Sequence, residues 1–162
     1  MLNEAIESNT LKGVSLRYFN VLGSASSLLK DKSKANIVPL VLDSLSRGQA
    51  PKIFGDDYPT KDGTCIRDYV HVEDIARAHI LAVIEMKTHQ LPKAINIGTG
   101  TGYSVREIMN EILRQKGSEV EPIVTERREG DPAILVAEVD LARKELGFMA
   151  QKTLEEMIAS SI

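Results

Sequence analysis

Segments typical of strands alternate with segments typical of helices along this chain, and this order restricts the fold more than any single motif. β-Branched and aromatic residues predict about five strands, at residues 14–19, 52–54, from about 67, 94–97 and 122–125. Helical spacing of apolar residues predicts helices over residues 1–9, 37–47, 73–86, 104–116, 140–146 and 153–162. Alternation of this kind predicts an α/β fold.

Composition restricts the class of protein. A chain of 162 residues can form a domain with its own core, and a net charge of -3 provides no overall field that attracts nucleic acid. The longest apolar run, residues 80–84, is far shorter than the roughly 20 residues of a membrane span. The N-terminus does not have the build of a signal peptide. The single cysteine excludes an internal disulfide, and the three histidines show no metal-ligand spacing. We therefore expect a cytoplasmic protein without a metal, a nucleic-acid partner or a membrane segment.

The glycine run GTGTG at residues 98–102 follows a predicted strand and precedes a predicted helix. Loops in that position bind phosphate groups in many nucleotide-binding proteins. This run is not GxGxxG, however, and no lysine follows it. The sequence favours a tight strand-to-helix turn, with cofactor binding as the alternative. Ser104 and Glu107 have the spacing of a capping box that opens the next helix, and Thr153 and Glu156 repeat it before the last one.

Two arginine-containing segments are candidate anion sites. Arg127 and Arg128 are adjacent in a predicted loop, where guanidinium groups can bind phosphate or form a local ion pair with an aspartate. The spacing leaves both interpretations open. Arg67 can likewise bind an anion or pair with a nearby acid, Asp62 or Asp68.

The other candidate residues of the segment 54–79 can be explained by structural roles as well as by functional ones. Phe54 and Tyr69 can stack on a flat ring or belong to the core. His71 has no Ser or Cys nucleophile near it in sequence, so a catalytic triad is not expected. Cys65 is predicted to be a buried or half-buried thiol.

Taken together, these segments resemble the C-terminal half of the UDP-glucose 4-epimerase family, within the extended short-chain dehydrogenase/reductase superfamily. The resemblance runs from about residue 14 to the end. It is carried by LRYFNV (16–21), IVPLVL (37–42), IFGDDYPTKDGTCIRDYVHVEDIARAH (53–79), NIGTGTGYSV (96–105) and RREGDPAILVA (127–137). The DYPT-DGT-IRDY-HV string is the specific part, because dehydratases and decarboxylases of the superfamily generally lack the YPT-DGT insertion.

The resemblance implies the last strands of a Rossmann-type sheet followed by a small mixed α/β substrate domain. Residues 1–20 would end the nucleotide-binding domain with a helix and a strand. Residues 21–162 would form the substrate-binding domain, from which the strand and helix at 94–116 return to the main sheet.

The resemblance also implies the ligand-binding residues. Tyr18 and Phe19 would approach the nicotinamide of an NAD cofactor. Residues 52–54 would lie against the uracil of a UDP-sugar, and Leu135 would stand where the family gates N-acetylated sugars. The full implied substrate set is Asn20, Asn36, Ile37, Lys52, Ile53, Phe54, Arg67, Arg128, Asp131 and Leu135.

No residue of this chain matches the family's catalytic base. The family's Tyr-x-x-x-Lys pair and its glycine-rich NAD turn are not found, since none of the four tyrosines has a lysine four positions later. The resemblance therefore implies epimerisation at C4 of a UDP-hexose, and also that this chain alone does not turn over. A second copy of the chain and a separate N-terminal half are the candidate protein partners. The rival hypotheses are another NAD-dependent sugar-nucleotide epimerase or dehydratase, and a non-catalytic remnant or binding module.

Overall fold

The α/β class is confirmed in the computed structural model, which describes residues 2–8, 11–33 and 35–162. The helices of this described part are α1 (Leu2–Glu7), α2 (Ile37–Ser46), α3 (Val72–Glu85), α4 (Val105–Lys116), α5 (Asp140–Leu146) and α6 (Leu154–Ser161). The strands are β1 (Ser15–Tyr18), β2 (Asn20–Leu22), β3 (Lys52–Phe54), β4 (Ile66–His71), β5 (Ala94–Ile97), β6 (Gly102–Ser104), β7 (Ile123–Thr125) and β8 (Ile134–Leu135). The predicted number of about five strands is wrong. The strands β2, β6 and β8 were not predicted; each has only two or three residues and pairs with β4.

The strand β4 is the centre of the largest sheet. β2 runs parallel to it with Asn20 opposite Tyr69, and β8 runs parallel with Leu135 opposite Arg67. β6 pairs with it in the antiparallel direction, with Tyr103 also opposite Arg67. All three short strands therefore form by pairing with β4. Two further parallel pairs, β1 with β5 and β3 with β7, complete the strands.

Two apolar clusters form the core, and β4 contributes to both. Tyr69 packs into the cluster formed mainly by α2, α4 and α6, whereas Val70 packs into the cluster formed by α3, α5 and β5. Successive side chains of a strand point to opposite faces, so β4 separates the two clusters. The predicted boundary between two domains at residue 20 stays a prediction.

The helix α4 shows how local sequence sets these elements. Ser104 accepts a hydrogen bond from the backbone N–H of Glu107, whose carboxylate accepts from the N–H of Ser104, so the predicted capping box is confirmed. Gly117 ends the helix in the left-handed conformation at φ 60°, where glycine is favoured. The apolar face between these caps is buried in the first cluster. The second predicted capping box, at Thr153 and Glu156, is also present.

Candidate functional site

A cavity of about 470 Å³ opens between the start of α2, the strand β3, the start of β4 and the loop 126–133. Eight of the ten predicted substrate residues line it, namely Asn20, Asn36, Ile37, Lys52, Phe54, Arg67, Arg128 and Asp131. Arg47 also lines it, so the wall carries four basic side chains against the single carboxylate of Asp131. The cavity is therefore a candidate site for an anionic ligand.

The other predicted ligand contacts lie outside this cavity. The side chain of Ile53 is fully buried in the core, because Lys52 and Phe54 on either side of it take the opposite face of β3. Leu135 is exposed in β8 and is not among the residues that line the cavity. Tyr18 ends β1 with half of its surface exposed, and its ring lies 6.1 Å from the ring of His79.

The guanidinium group of Arg67 is buried and held in one orientation. Its NH1 group donates to the carbonyl oxygens of Ile66 (2.9 Å) and Pro132 (2.7 Å), and its NH2 group lies 3.4 Å from the carboxylate of Asp131. Among the described residues, the ion-pair partner is Asp131 and not Asp62 or Asp68, which the sequence left open as an alternative. The partner is an acid far away in sequence, on the loop that closes the cavity.

The adjacent arginines of that loop have different surroundings. Arg127 donates to the carboxylate of Asp57 at 2.5 Å and lies 4.1 Å above the ring centre of Tyr58. Arg128 lines the cavity, with its guanidinium carbon 4.0 Å above the ring centre of Phe54. Arg127 therefore forms an ion pair, but with an aspartate 70 positions away and not with a local one, whereas Arg128 lines the cavity.

The first turn of α2 adds backbone donors to the cavity. Asn36 precedes the helix without a capping hydrogen bond from its side chain, and its NH2 group donates to Asp31 at 2.5 Å. Asn36 and Ile37 both line the cavity, so the N-terminal end of α2 faces it. A helix N-terminus carries unsatisfied N–H groups and a partial positive charge, which favour an anion.

Asp68 explains the glycine run at residues 98–102. Its carboxylate, which is fully buried, accepts hydrogen bonds from the N–H of Thr99 (2.9 Å), the hydroxyl of Thr99 (2.7 Å) and the N–H groups of Gly100 (2.9 Å) and Ala137 (3.2 Å). A Cβ on Gly98 would lie 2.6 Å from an Asp68 carboxylate oxygen, so glycine permits this close approach. The run forms a turn, but it leads from β5 into the strand β6 and not directly into α4 as predicted. The anion that the turn binds is a side chain of the protein itself.

His71 forms a contact that sequence reasoning missed. Its Nδ1 accepts the N–H of Glu73 at the start of α3, which leaves Nε2 to donate to the hydroxyl of Ser160 at 3.0 Å. Ser160 in turn donates to the carbonyl of Met157. A histidine that donates to a serine does not act as its base, so this pair is structural. The 89 residues between the partners gave no local signal.

Tyr69, Cys65 and Arg47 also line the cavity. Burial raises the pKa of Tyr69 to about 12, which keeps its hydroxyl protonated. Cys65 lines the cavity as a buried thiol. Arg47, at the end of α2, was not predicted as a site residue, because a basic residue there is common for helix-dipole reasons alone.

The described ranges contain neither a metal-binding cluster nor a membrane-spanning helix. In residues 2–8, 11–33 and 35–162, no three His, Cys, Asp or Glu side chains lie close enough together to hold a metal ion. Over the same ranges, every helix is too short or too polar to cross a membrane.

Comparisons with known proteins agree with the resemblance noted in the sequence. The family model described as NAD dependent epimerase/dehydratase family matches residues 1–98. A UDP-glucose 4-epimerase of Lacticaseibacillus casei is 44% identical over 142 residues, which are 85% of this chain and 43% of that protein.

Solved structures give the same result. The UDP-glucose 4-epimerase of Brucella ovis in complex with NAD superposes with a TM-score of 0.87 at 39% identity, covering 99% of this chain and 51% of that one. The enzyme of Stenotrophomonas maltophila, with bound NAD and formylated UDP-arabinopyranose, gives 0.86 at 34% identity over 99% and 50% of the two chains. The chain thus spans about half the length of the relatives that it matches.

Proposed function

The chain belongs to the NAD dependent epimerase/dehydratase family, and we propose that it supplies the UDP-sugar-binding half of a UDP-glucose 4-epimerase. The observation that carries the proposal is the cationic cavity, where Arg67 and Arg128 meet a helix N-terminus beside the ring of Phe54. A nucleoside diphosphate combines two phosphates with a flat base and has a complementary shape and charge.

The phosphate contacts follow from the charge balance. Arg67 is only 9% exposed, and the one carboxylate near it, Asp131, is itself 40% exposed at its side chain. A buried cation that is only partly compensated gains from a second anion. A diphosphate between Arg67, Arg128 and the first turn of α2 would supply that anion. Charge-assisted hydrogen bonds of this kind contribute about 1.5–3 kcal/mol each.

The base contacts follow from the free edge of β3. In the described part of the chain β3 pairs with β7 alone, and its bonds to β7 use the carbonyl of Pro51 and the N–H of Gly55. Backbone groups alternate in direction along a strand, so those of Lys52 and Phe54 point to the opposite edge, beside the cavity. An edge with both donors and acceptors can pair with the imide edge of uracil.

The reaction places a second demand on the site. In the proposed reaction, a bound NAD would supply reversible hydride transfer at C4 of the sugar. The protein must then hold UDP firmly while the hexose turns over, so binding energy from the remote nucleotide positions the reacting carbon. In this chain, the residues around the cavity hold the nucleotide.

The cofactor would contact this chain on one side only, at the carboxyl end of β1. Tyr18 is half exposed at the carboxyl ends of the parallel strands β1 and β5, where ligands of α/β sheets bind, and Phe19 follows it. These residues fit one side of a nicotinamide ring. The N–H groups of the turn at 99–100 are bound to Asp68, so we assign them no cofactor phosphate.

The surface of α3 indicates the kind of partner. Ile80, Val83 and Ile84 are 62%, 54% and 48% exposed, while the opposite face of the same helix packs into the core. A helix that is apolar on both sides is usually buried, and β1 and β5 form a sheet of only two strands. We infer that a polypeptide with the N-terminal half of an epimerase covers this surface. A second copy of the chain is the alternative.

Ligand binding tests the nucleotide site. We expect UDP at 100 times its Kd to stabilise the chain by about 2.7 kcal/mol in a thermal-shift titration. Arg128→Ala should weaken UDP at least about tenfold, because one charge-assisted contact is lost. Arg143→Ala, an exposed arginine of α5 outside the cavity, is the matched control and should bind UDP as the parent does. An absence of stabilisation at millimolar UDP would refute the proposed site.

A turnover assay tests whether epimerase activity requires a separate N-terminal half. We expect the chain alone to leave UDP-galactose unchanged, and a mixture with a separately expressed N-terminal half of a related epimerase to convert it to UDP-glucose. Val83→Asp on α3 should reduce activity of the mixture, whereas Val120→Asp, an exposed valine before β7, should not. Conversion by the chain alone would contradict the proposal, and a panel of nucleotide sugars would identify a different epimerase or dehydratase specificity.

A further inference from the structure

Inside the cavity, the arginine that we assign to the phosphates covers the aromatic ring that is available to a base. The guanidinium carbon of Arg128 lies 4.0 Å above the ring centre of Phe54, and both residues line the cavity. A base cannot stack on that face of Phe54 while Arg128 occupies it. A cation over an aromatic ring is stabilised by about 0.5–1 kcal/mol at exposed sites and more when water is excluded.

The same short turn makes a second contact across the cavity. Asp131, three residues after Arg128, lies 3.4 Å from the buried guanidinium of Arg67, and its N–H bonds the carbonyl of Arg128 at 3.4 Å. A side chain at each end of the turn thus makes a contact that part of a nucleotide could make instead. Arg128 covers the ring as a base would, and Asp131 offers Arg67 an anion as a phosphate would.

The turn is held just before these residues and has open space at its tip. Arg127 is bound to Asp57 and Tyr58, so the backbone at 127 is held against the loop 55–58. A Cβ on Gly130 would have no atom within 4 Å, so the tip has open space around it. The side chains of Arg128 and Asp131 can therefore exchange partners without displacement of Arg127.

We propose that Arg128 selects nucleoside diphosphates over free nucleosides by covering Phe54 until a phosphate draws it away. This inference rests on the proposed nucleotide site. A nucleoside must displace Arg128 from the ring and has no phosphate oxygen to bind the released guanidinium. A nucleoside diphosphate displaces the same contact and provides oxygens that bind the released guanidinium. Arg128 is then a specificity-determining residue, and base binding is coupled to phosphate binding through it.

The test compares uridine with UDP in the same variants by isothermal titration. Arg128→Ala uncovers Phe54, so uridine should bind about threefold more tightly than to the parent chain, while UDP binds at least about tenfold more weakly. Opposite changes for the two ligands are diagnostic, since a variant that merely disturbed the pocket would weaken both. Arg47→Ala removes a cavity arginine that does not lie over Phe54, and should not improve uridine binding.

A second measurement follows the contact itself. The chain has no tryptophan, so Phe54→Trp places a single indole beneath Arg128. Inorganic pyrophosphate should change the fluorescence of that indole as Arg128 leaves it, and the change should be absent when Arg128→Ala is added. Pyrophosphate that binds without a fluorescence change would overturn the inference.

The two proposals fail in different ways. Tight UDP binding together with weaker uridine binding to Arg128→Ala would overturn the selection by Arg128 and leave the proposed function standing. A chain that binds neither UDP nor pyrophosphate would refute the proposed function, and this inference with it.

Discussion

Replacement of Asp68 by asparagine tests the buried carboxylate that binds the turn at residues 99–100. One oxygen of Asp68 accepts the N–H and the hydroxyl of Thr99, and the other accepts the N–H groups of Gly100 and Ala137. In Asp68→Asn one oxygen becomes an NH2 group, which donates and cannot accept. Whether the NH2 group faces Thr99 or faces Gly100 and Ala137, it meets two hydrogen-bond donors in a fully buried site.

The expected cost follows from those two contacts. Hydrogen bonds to a charged group contribute about 1.5–3 kcal/mol each, and a buried donor left without an acceptor costs about 1–3 kcal/mol. Loss of two such bonds should therefore lower the free energy of unfolding by about 3 kcal/mol or more. For a chain of this length, that loss corresponds to a decrease in Tm of about 6–12 °C.

Urea denaturation followed by circular dichroism measures this loss, and hydrogen exchange locates it. We expect the amide protons of Thr99, Gly100 and Ala137 to lose protection before those of the α4 interior. The matched control is Asp140→Asn, an exposed carboxylate at the start of α5, which should change stability by less than about 0.5 kcal/mol. If Asp68→Asn unfolds within about 1 kcal/mol of the parent, the carboxylate does not hold the turn and the argument is refuted.

Three smaller perturbations extend the test. Gly98→Ala should cost about 1–3 kcal/mol in urea denaturation, because the new Cβ would lie 2.6 Å from an oxygen of Asp68; parent-like stability would contradict the close approach. Ser104→Ala removes one half of the α4 capping box and should cost about 1 kcal/mol by the same assay. Burial lowers the pKa of His71 below 6.5, so the unfolded chain binds the proton more readily. Neutral His71 therefore contributes fully to stability above pH 6.5, and this contribution is lost as the pH falls below that value. The pH dependence should disappear in His71→Gln but persist in His89→Gln.

Elements with a strong local signal could be predicted from the sequence. The helix α4 has a capping box at its start, a buried apolar face of four residues and a terminal glycine, all within the 14 residues 104–117, and its predicted bounds agree with the structure to within one residue. The strand β8 is the opposite case. Its two residues are exposed, and they form a strand only because residues 66–67 of β4 provide a partner. Pairing over such a distance leaves no periodic pattern in the sequence.

The site divides in the same way. The arginine pair at 127–128 was visible as a candidate, but two adjacent letters could not show which guanidinium faces the cavity. Tyr58 and Phe54 decide it, since each ring takes one arginine. Likewise Asp62 and Asp68 are close to Arg67 in sequence, yet the alternation of a strand and the turn before it direct them to other partners.

Net charge is the clearest example of a sequence quantity that misleads about this site. The chain carries -3 overall, yet its cavity is lined by four basic groups and one acidic group. The acids of the segment 54–79 account for the difference between the overall charge and the charge of the cavity wall, because most of them are bound elsewhere in the protein. Their partners are Arg127 for Asp57, Thr64 and Ser104 for Asp62, the turn at 99–100 for Asp68, and Arg77 for Asp74. Each carboxylate held in this way adds to the overall charge but not to the cavity wall. An anion that approaches the cavity therefore meets the positive ends of Arg67 and Arg128, although an anion at large distance meets a weakly negative protein. At physiological ionic strength the field of exposed charges is screened over about 8 Å, so the local arrangement decides what binds.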